Sequence, residues 1–338
     1  MTDDWEAERQ TLLGRRISDL ELRIAGSPLE PLVAELYHEL DARGVAYHPP
    51  VYLTDQWGCP SGVPLIGVPF YLADRRLARL EEEMAVEVEG QQDAIRFLRH
   101  EAGHAINYAY RLYDRADWRQ LFGPYSRPYQ DRYRVDPLSR EHVRHILGWY
   151  AQKHPDEDFA ETFAVWLTPE IDWRERYADW PALRKLEYVD TVMREVGAEA
   201  PPAPAPAPEH LPVASMQLTV EEHYHQIQDG VPIADDRHFD GDLRTIFAGA
   251  DAGAEKAGAF LRGHRREIVT RVAYWTGEPT TVVAAFIDFL TRRADALGLR
   301  IGSREASTLI ELTAFGTAVI MNYRYTHTLG ERPEEQEA

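Results

Sequence analysis

From Ile95 to Tyr110 apolar residues fall at Ile95, Leu98, Ala102, Ala105, Ile106 and Ala109, and these steps of three and four predict a helix with Asp93 as its N-cap. The same period predicts a mainly helical segment over 4–44, where Leu32, Val33, Leu36 and Leu40 share a face and Gly44 supplies a stop. Between Tyr47 and Leu72 the pattern changes to short apolar runs on either side of GCPSGVP at 58–64, which predicts two or three strands. A small sheet there could offer an edge to an extended peptide or merely cover the helix. Leu112 to Pro137 has no clean period and reads as irregular, and Ser139 reads as opening a helix with His142 and His145 on a solvated face. Pro155 and Asp156 fit a further helix start, with Phe159, Phe163, Val165 and Trp166 to bury. The chain then stays helical to Val196.

At Ala200 to Pro212 the composition breaks into APPAPAPAPEHLP, which forms neither helix nor sheet and reads as an extended spacer able to span about 40 Å. Beyond it, Leu243–Ala252, Ala257–Trp275, Thr280–Leu297 and Arg304–Tyr325 read as helices, interrupted at Gly277-Glu278-Pro279 and at Gly298 to Ser303. His223 and His225 read as surface residues, the run Arg262, His264, Arg265, Arg266 as an exposed basic helix face, and ERPEEQEA as a frayed tail. The expected organisation is an α+β domain over 1–199, a linker over 200–212 and an all-α helical accessory domain over 213–338.

Charge and cysteine content narrow the function. A net charge of −19 over 338 residues argues against general binding to nucleic acid or anionic membrane, both negative themselves. Cys59 is the single cysteine, which excludes an intramolecular disulfide and a cysteine-based zinc site. The stretch MTDDWEAERQ lacks a signal-peptide core and no run of about 18 apolar residues appears, so a cytoplasmic location is expected.

On the helix first described, His100, Glu101 and His104 stand in the order His-Glu-x-x-His. Residues four apart share a face, so two imidazoles can reach one metal ion while Glu101 points toward the remaining coordination space. Ala102 and Gly103 between them leave room for another backbone or the metal to come close. Glu157 and Glu161 are also four apart, and such a pair can supply a third metal ligand and an acceptor for a histidine N–H.

LRHEAGHA together with WYAQKHPDEDFAETFAVWL resembles the zinc-binding metallopeptidases of the gluzincin type, and E-x-F-A-E is similar to the pattern in anthrax lethal factor and the Pro-Pro endopeptidases. The resemblance covers about residues 20–195, with specificity confined to the two motifs. It implies a zincin-like fold, one Zn2+ per chain held by His100, His104 and Glu157, and Glu101 as general base. It further implies Tyr150, seven residues before Glu157, as a phenol donor to the oxyanion, and Glu161 as a supporting residue. The implied activity is hydrolysis of a protein or peptide substrate, with regulation by the C-terminal helical domain as a further expectation. The alternative class is a non-catalytic or latent zinc-binding regulator, whose closed site would need a fourth protein ligand, for which His154 is the candidate.

Overall fold

The computed structural model describes residues 2–84, 91–129, 133, 135–146, 149–202, 212–228, 237–247, 255–302, 305–326 and 328–330. Most of the Pro/Ala stretch, the end of the first helix expected after it, and the terminal ERPEEQEA lie outside them. The chain divides into two compact units, residues 1–80 with 88–221, and residues 81–87 with 222–338. Among the described residues it is helix-rich with one small sheet, compatible with an α+β class. No described helix is long and apolar enough to cross a membrane.

The first unit is built around α4 (Gln91–Ala109), which packs on α2 (Glu30–Ala42), on the sheet and, most extensively, on α6 (Pro155–Leu167). α1 (Thr2–Leu13), α3 (Arg75–Met84), α5 (Ala116–Phe122), α7 (Trp173–Arg176) and α8 (Leu183–Val196) complete the helices that begin in this part of the chain. Leu98, Ala102, Ala105, Ile106 and Ala109 are all fully buried or nearly so, which is the stripe read from the sequence. The buried pair Arg99–Glu39 ties α4 to α2, with Arg99 Nε 2.8 Å from Glu39 Oε2. α6 is buried along its whole length, acids included. A helix buried all round must pair its charges internally. Lys185 Nζ on α8 accordingly lies 2.6 Å from Asp158 Oδ2.

Gly103 sets the separation of α4 and α6: a Cβ there would stand 2.8 Å from Ala160 Cα and 2.9 Å from its carbonyl oxygen. This close approach brings the acids of α6 to the histidines of α4.

The two strands, β1 (Val51–Thr54) and β2 (Ile66–Pro69), pair in parallel, with Val51 opposite Ile66. The intervening loop turns back so that Gly58 and Gly67 exchange backbone hydrogen bonds of 3.3 and 2.8 Å in an antiparallel bridge. β2 therefore has partners on both sides and is buried throughout, so it presents no open edge to a peptide.

Two readings of the irregular region change. α5 lies inside the stretch without period, because Trp118 and Phe122 pack on Phe159, at ring distances of 6.1 and 5.4 Å. Residues 139–146 form no helix, and His145 is buried rather than solvated.

Residues 213–221 belong to the first unit. Ile17 N–H donates to Leu218 O at 3.0 Å, Ser18 N–H to Met216 O at 3.0 Å, and Val220 N–H to Arg15 O at 3.0 Å.

The second unit contains most of α9 (Val220–Gln228), with α10 (Asp240–Ile246), α11 (Ala257–Thr276), α12 (Thr280–Ala296) and α13 (Glu305–Thr326). Phe260, Leu261, Val269, Phe286, Ile287 and Leu290 form its core. Gly277, at φ +70°, ends α11 as the sequence predicts. His223 is buried on α9, contrary to the surface reading. Much of the basic run on α11 is neutralised locally, with Arg262 2.7 Å from Asp295 and Arg265 2.6 Å from Asp288.

Candidate metal centre

α4 presents His100 and His104 one turn apart, and α6 presents Glu157 from its first turn. The three side chains converge: His100 Nε2 and His104 Nε2 are 3.1 Å apart, and each lies 3.1 Å from Glu157 Oε2. Three ligands on one tetrahedral ion at about 2.0–2.1 Å would be separated by roughly 3.3 Å, so this spacing fits zinc. All three are buried, and their donor atoms form a group able to hold a metal ion.

The outer nitrogens of the imidazoles face carboxylates. His100 Nδ1 lies 2.9 Å from Glu161 Oε1, while Glu161 also accepts the backbone N–H groups of His145 at 3.1 Å and Ile146 at 2.9 Å. His104 Nδ1 lies 3.0 Å from Asp156 Oδ2, off the line of a good hydrogen bond. Asp156 is fixed by Asn107 Nδ2 at 2.8 Å and by the Tyr108 hydroxyl. Such outer partners settle which imidazole nitrogen is left facing inward. Asp156 had been legible only as a helix-start residue.

Burial raises the cost of every charge here, yet the group holds itself ionised. Burial would push Glu157 up, but the two imidazoles bring its carboxyl down to about 2. Burial would also lower His100, and Glu157 and Glu161 instead raise it to about 10. His104 is raised as well, Asp156 and Glu157 outweighing its desolvation. The carboxylates therefore call for positive charge at the point where the three inner donor atoms meet, which protons or a divalent cation can supply.

A cleft of about 400 Å³ opens over these atoms, bordered by Trp57, Cys59, Glu101, Tyr125, Tyr129 and Tyr150 among others. Burial pushes the Glu101 carboxyl up, and among the described residues it accepts no hydrogen bond. Trp149, in the left-handed region at φ +56°, turns the chain into the short helical turn Tyr150–Gln152. A non-glycine residue held there costs on the order of 1–3 kcal/mol, tolerated where surrounding structure fixes it. The Tyr150 ring lies 5.6 Å from that of His100, and Lys153 Nζ is 3.5 Å from the Tyr150 hydroxyl.

Tyr129 was not singled out by its sequence context; its hydroxyl donates to Glu157 Oε1. Only three-dimensional proximity reveals it. Cys59 keeps its thiol directed to Val63 O at 3.1 Å. His154, the candidate fourth ligand, has both ring nitrogens engaged: Nδ1 accepts the Asp156 N–H at 3.1 Å and Nε2 donates to Arg127 O at 2.8 Å.

No curated protein and no solved structure matches the chain. Residues 75–178 match the model of the family described as "Putative zinc-binding metallo-peptidase", and the matched stretch contains every side chain of the converging group. On that match, the segment carrying His100, His104 and Glu157 is similar to the family described as zinc-binding metallo-peptidases.

Proposed function

We propose that the chain is a zinc-dependent peptidase whose zincin-like domain spans 1–199 and binds one Zn2+ through His100, His104 and Glu157. The observation that carries this reading is the convergence of those three inner donor atoms, each 3.1 Å from the others, beneath a cleft that also holds Glu101. Bound there, zinc supplies an electrophile that acidifies a water and polarises a carbonyl.

The chain's own residues do the rest. Glu101 takes a proton from the attacking water and returns it to the leaving amine. Its burial suits that role, since a desolvated carboxylate is a stronger base than one in water. Tyr150 donates its hydroxyl hydrogen to the developing oxyanion, with the Lys153 ammonium beside it. Glu161 and Asp156 hold the imidazoles in orientation. Engagement of His154 at both nitrogens removes the fourth protein ligand that a closed structural site would need, which weighs against the regulator reading.

The test is a peptide library incubated with the native protein and read by mass spectrometry. We expect cleavage that a chelator abolishes and added zinc restores. Tyr150→Phe should lose about 100-fold in kcat, and Glu101→Gln about 10² to 10⁴-fold, both with zinc retained. No cleavage by the zinc-loaded protein, or equal cleavage by Glu101→Gln, would overturn the proposal.

A further inference from the structure

One helical turn before His100, α4 carries Arg96, and Arg96 and Arg99 border a second cavity of about 450 Å³ together with Arg144, His145, Thr168 and Arg176. Four guanidinium groups around one cavity stand out in a chain of net charge −19. Their partners divide them. Arg99 is buried and matched, held by Glu39 at 2.8 Å, with Glu35 and Glu170 each 3.9 Å away. Arg96 donates to the His145 carbonyl and comes only within 3.9 Å of Asp93.

Arg144 and Arg176 have no carboxylate partner among the described residues. Arg144 donates to Pro137 O at 2.8 Å and lies over the rings of Trp149 and Trp180, at 5.9 and 5.3 Å. Arg176 lies over the Tyr177 ring at 5.6 Å. Aromatic faces flank both exposed groups without neutralising them, and a guanidinium is the side chain best matched to a planar or tetrahedral oxyanion. The two glutamates on the rim, Glu35 and Glu170, are 50% and 73% exposed and can turn to solvent.

We propose that this cavity binds a multiply charged oxyanion, of phosphate or clustered-carboxylate chemistry, with Arg144 and Arg176 as its principal donors and Arg96 at its edge. The site is linked to the metal centre by hydrogen bonds: the loop that carries His145 donates two backbone N–H groups to Glu161, which holds His100. The inference stands independently of hydrolytic activity, because it concerns binding at a different cavity.

Titration calorimetry on the full chain tests it with two probes, inorganic phosphate and tricarballylate, at constant ionic strength against chloride. Saturable binding of at least one probe is expected, and which one binds separates the phosphate from the carboxylate source. Losing a charge-assisted hydrogen bond weakens binding by about 10-fold or more. The double variant Arg144→Gln, Arg176→Gln should lose at least that much while keeping its zinc content. Arg176 is exposed, so Arg176→Gln alone provides a second reading if the double variant does not fold, with a loss of several-fold expected. Absence of saturable binding by either probe, or unchanged affinity in the variants, overturns the proposal.

Discussion

Glu157 and Glu161 stand one turn apart on α6 and meet opposite sides of the same imidazole, Glu157 at Nε2 and Glu161 at Nδ1 of His100. Their removal should therefore differ in kind. Glu157→Ala is expected to abolish zinc retention on dialysis, whereas Glu161→Gln, which still offers an acceptor to His100, should weaken affinity only about 10 to 100-fold. Metal analysis decides, and full occupancy in Glu157→Ala would refute the ligand assignment.

His145 gives a pH prediction. Burial, its largest influence, is opposed by Glu161 and by its hydrogen bond to Arg96 O and reinforced by the charges of Arg96 and His100, and the result is a pKa lowered to about 4. In the unfolded chain it returns to about 6.5. Between those values the unfolded state binds a proton that the folded state refuses, so stability is intact above pH 6.5 and declines as pH falls toward 4. The loss is at most roughly 3 kcal/mol. His145→Gln keeps a donor for the Arg96 carbonyl without titrating, so the Tm difference between native protein and variant should shift in the variant's favour from pH 7 to pH 5. A difference independent of pH would show that His145 is not the group responsible.

At the scale of elements, what the sequence made legible was local, and what it hid was contact between distant segments. The stripe on α4, the start of α6 at Pro155 and the stops at Gly44 and Gly277 are written within single turns of chain, and they appear where the pattern places them. The pairing of β1 with β2 in parallel, the helix α5 set by aromatic packing on Phe159, and the irregular course of 139–146 beside α6 depend on partners elsewhere. Within the site, His100, Glu101, His104 and Glu157 were legible by spacing and resemblance. Tyr129 and Asp156 were not, since neither a lone tyrosine in a Tyr/Arg/Pro stretch nor an aspartate at a helix start carries a signal of its own. Gly103 joins the two levels, because its missing side chain lets α6 deliver Glu157. Gly103→Ala drives a methyl into the Ala160 backbone, and overpacking of this kind costs about 1–3 kcal/mol. We expect a lowered Tm together with weakened zinc binding. Gly241→Ala in α10, where a Cβ meets nothing within 4 Å, should instead be neutral or stabilising by about 0.5–1 kcal/mol. Equal effects from the two substitutions would remove close helix approach as the explanation.

At the scale of the molecule, the break in composition at 200–212 does not coincide with the boundary between the compact units, which falls at 221. The reason is visible in the chain just after the Pro/Ala stretch. Three backbone hydrogen bonds join Met216, Leu218 and Val220 to the segment 15–18, and Val213 and Val220 are buried. Each such hydrogen bond contributes about 1 kcal/mol net, and each buried valine about 1.5–3 kcal/mol. Residues 213–221 are thus an anchor on the first unit, so the chain on both sides of the Pro/Ala stretch belongs to that unit. Cutting the chain at a protease site placed within 203–211 should then leave one particle on size exclusion, with its zinc content and its turnover of a short peptide unchanged. Substituting Val220→Asp should loosen residues 213–221 from segment 15–18, read as faster amide exchange at Ile17 and Ser18, because the buried valine is replaced by an unpaired charge, while the pieces stay joined through residues 81–87, which pack in the second unit. If the cut alone releases residues 212–338, the anchor is too weak to matter. If the cut leaves one particle but turnover rises, continuity of the chain through 203–211 restrains the site, and regulation by the C-terminal helices acts through that stretch of chain.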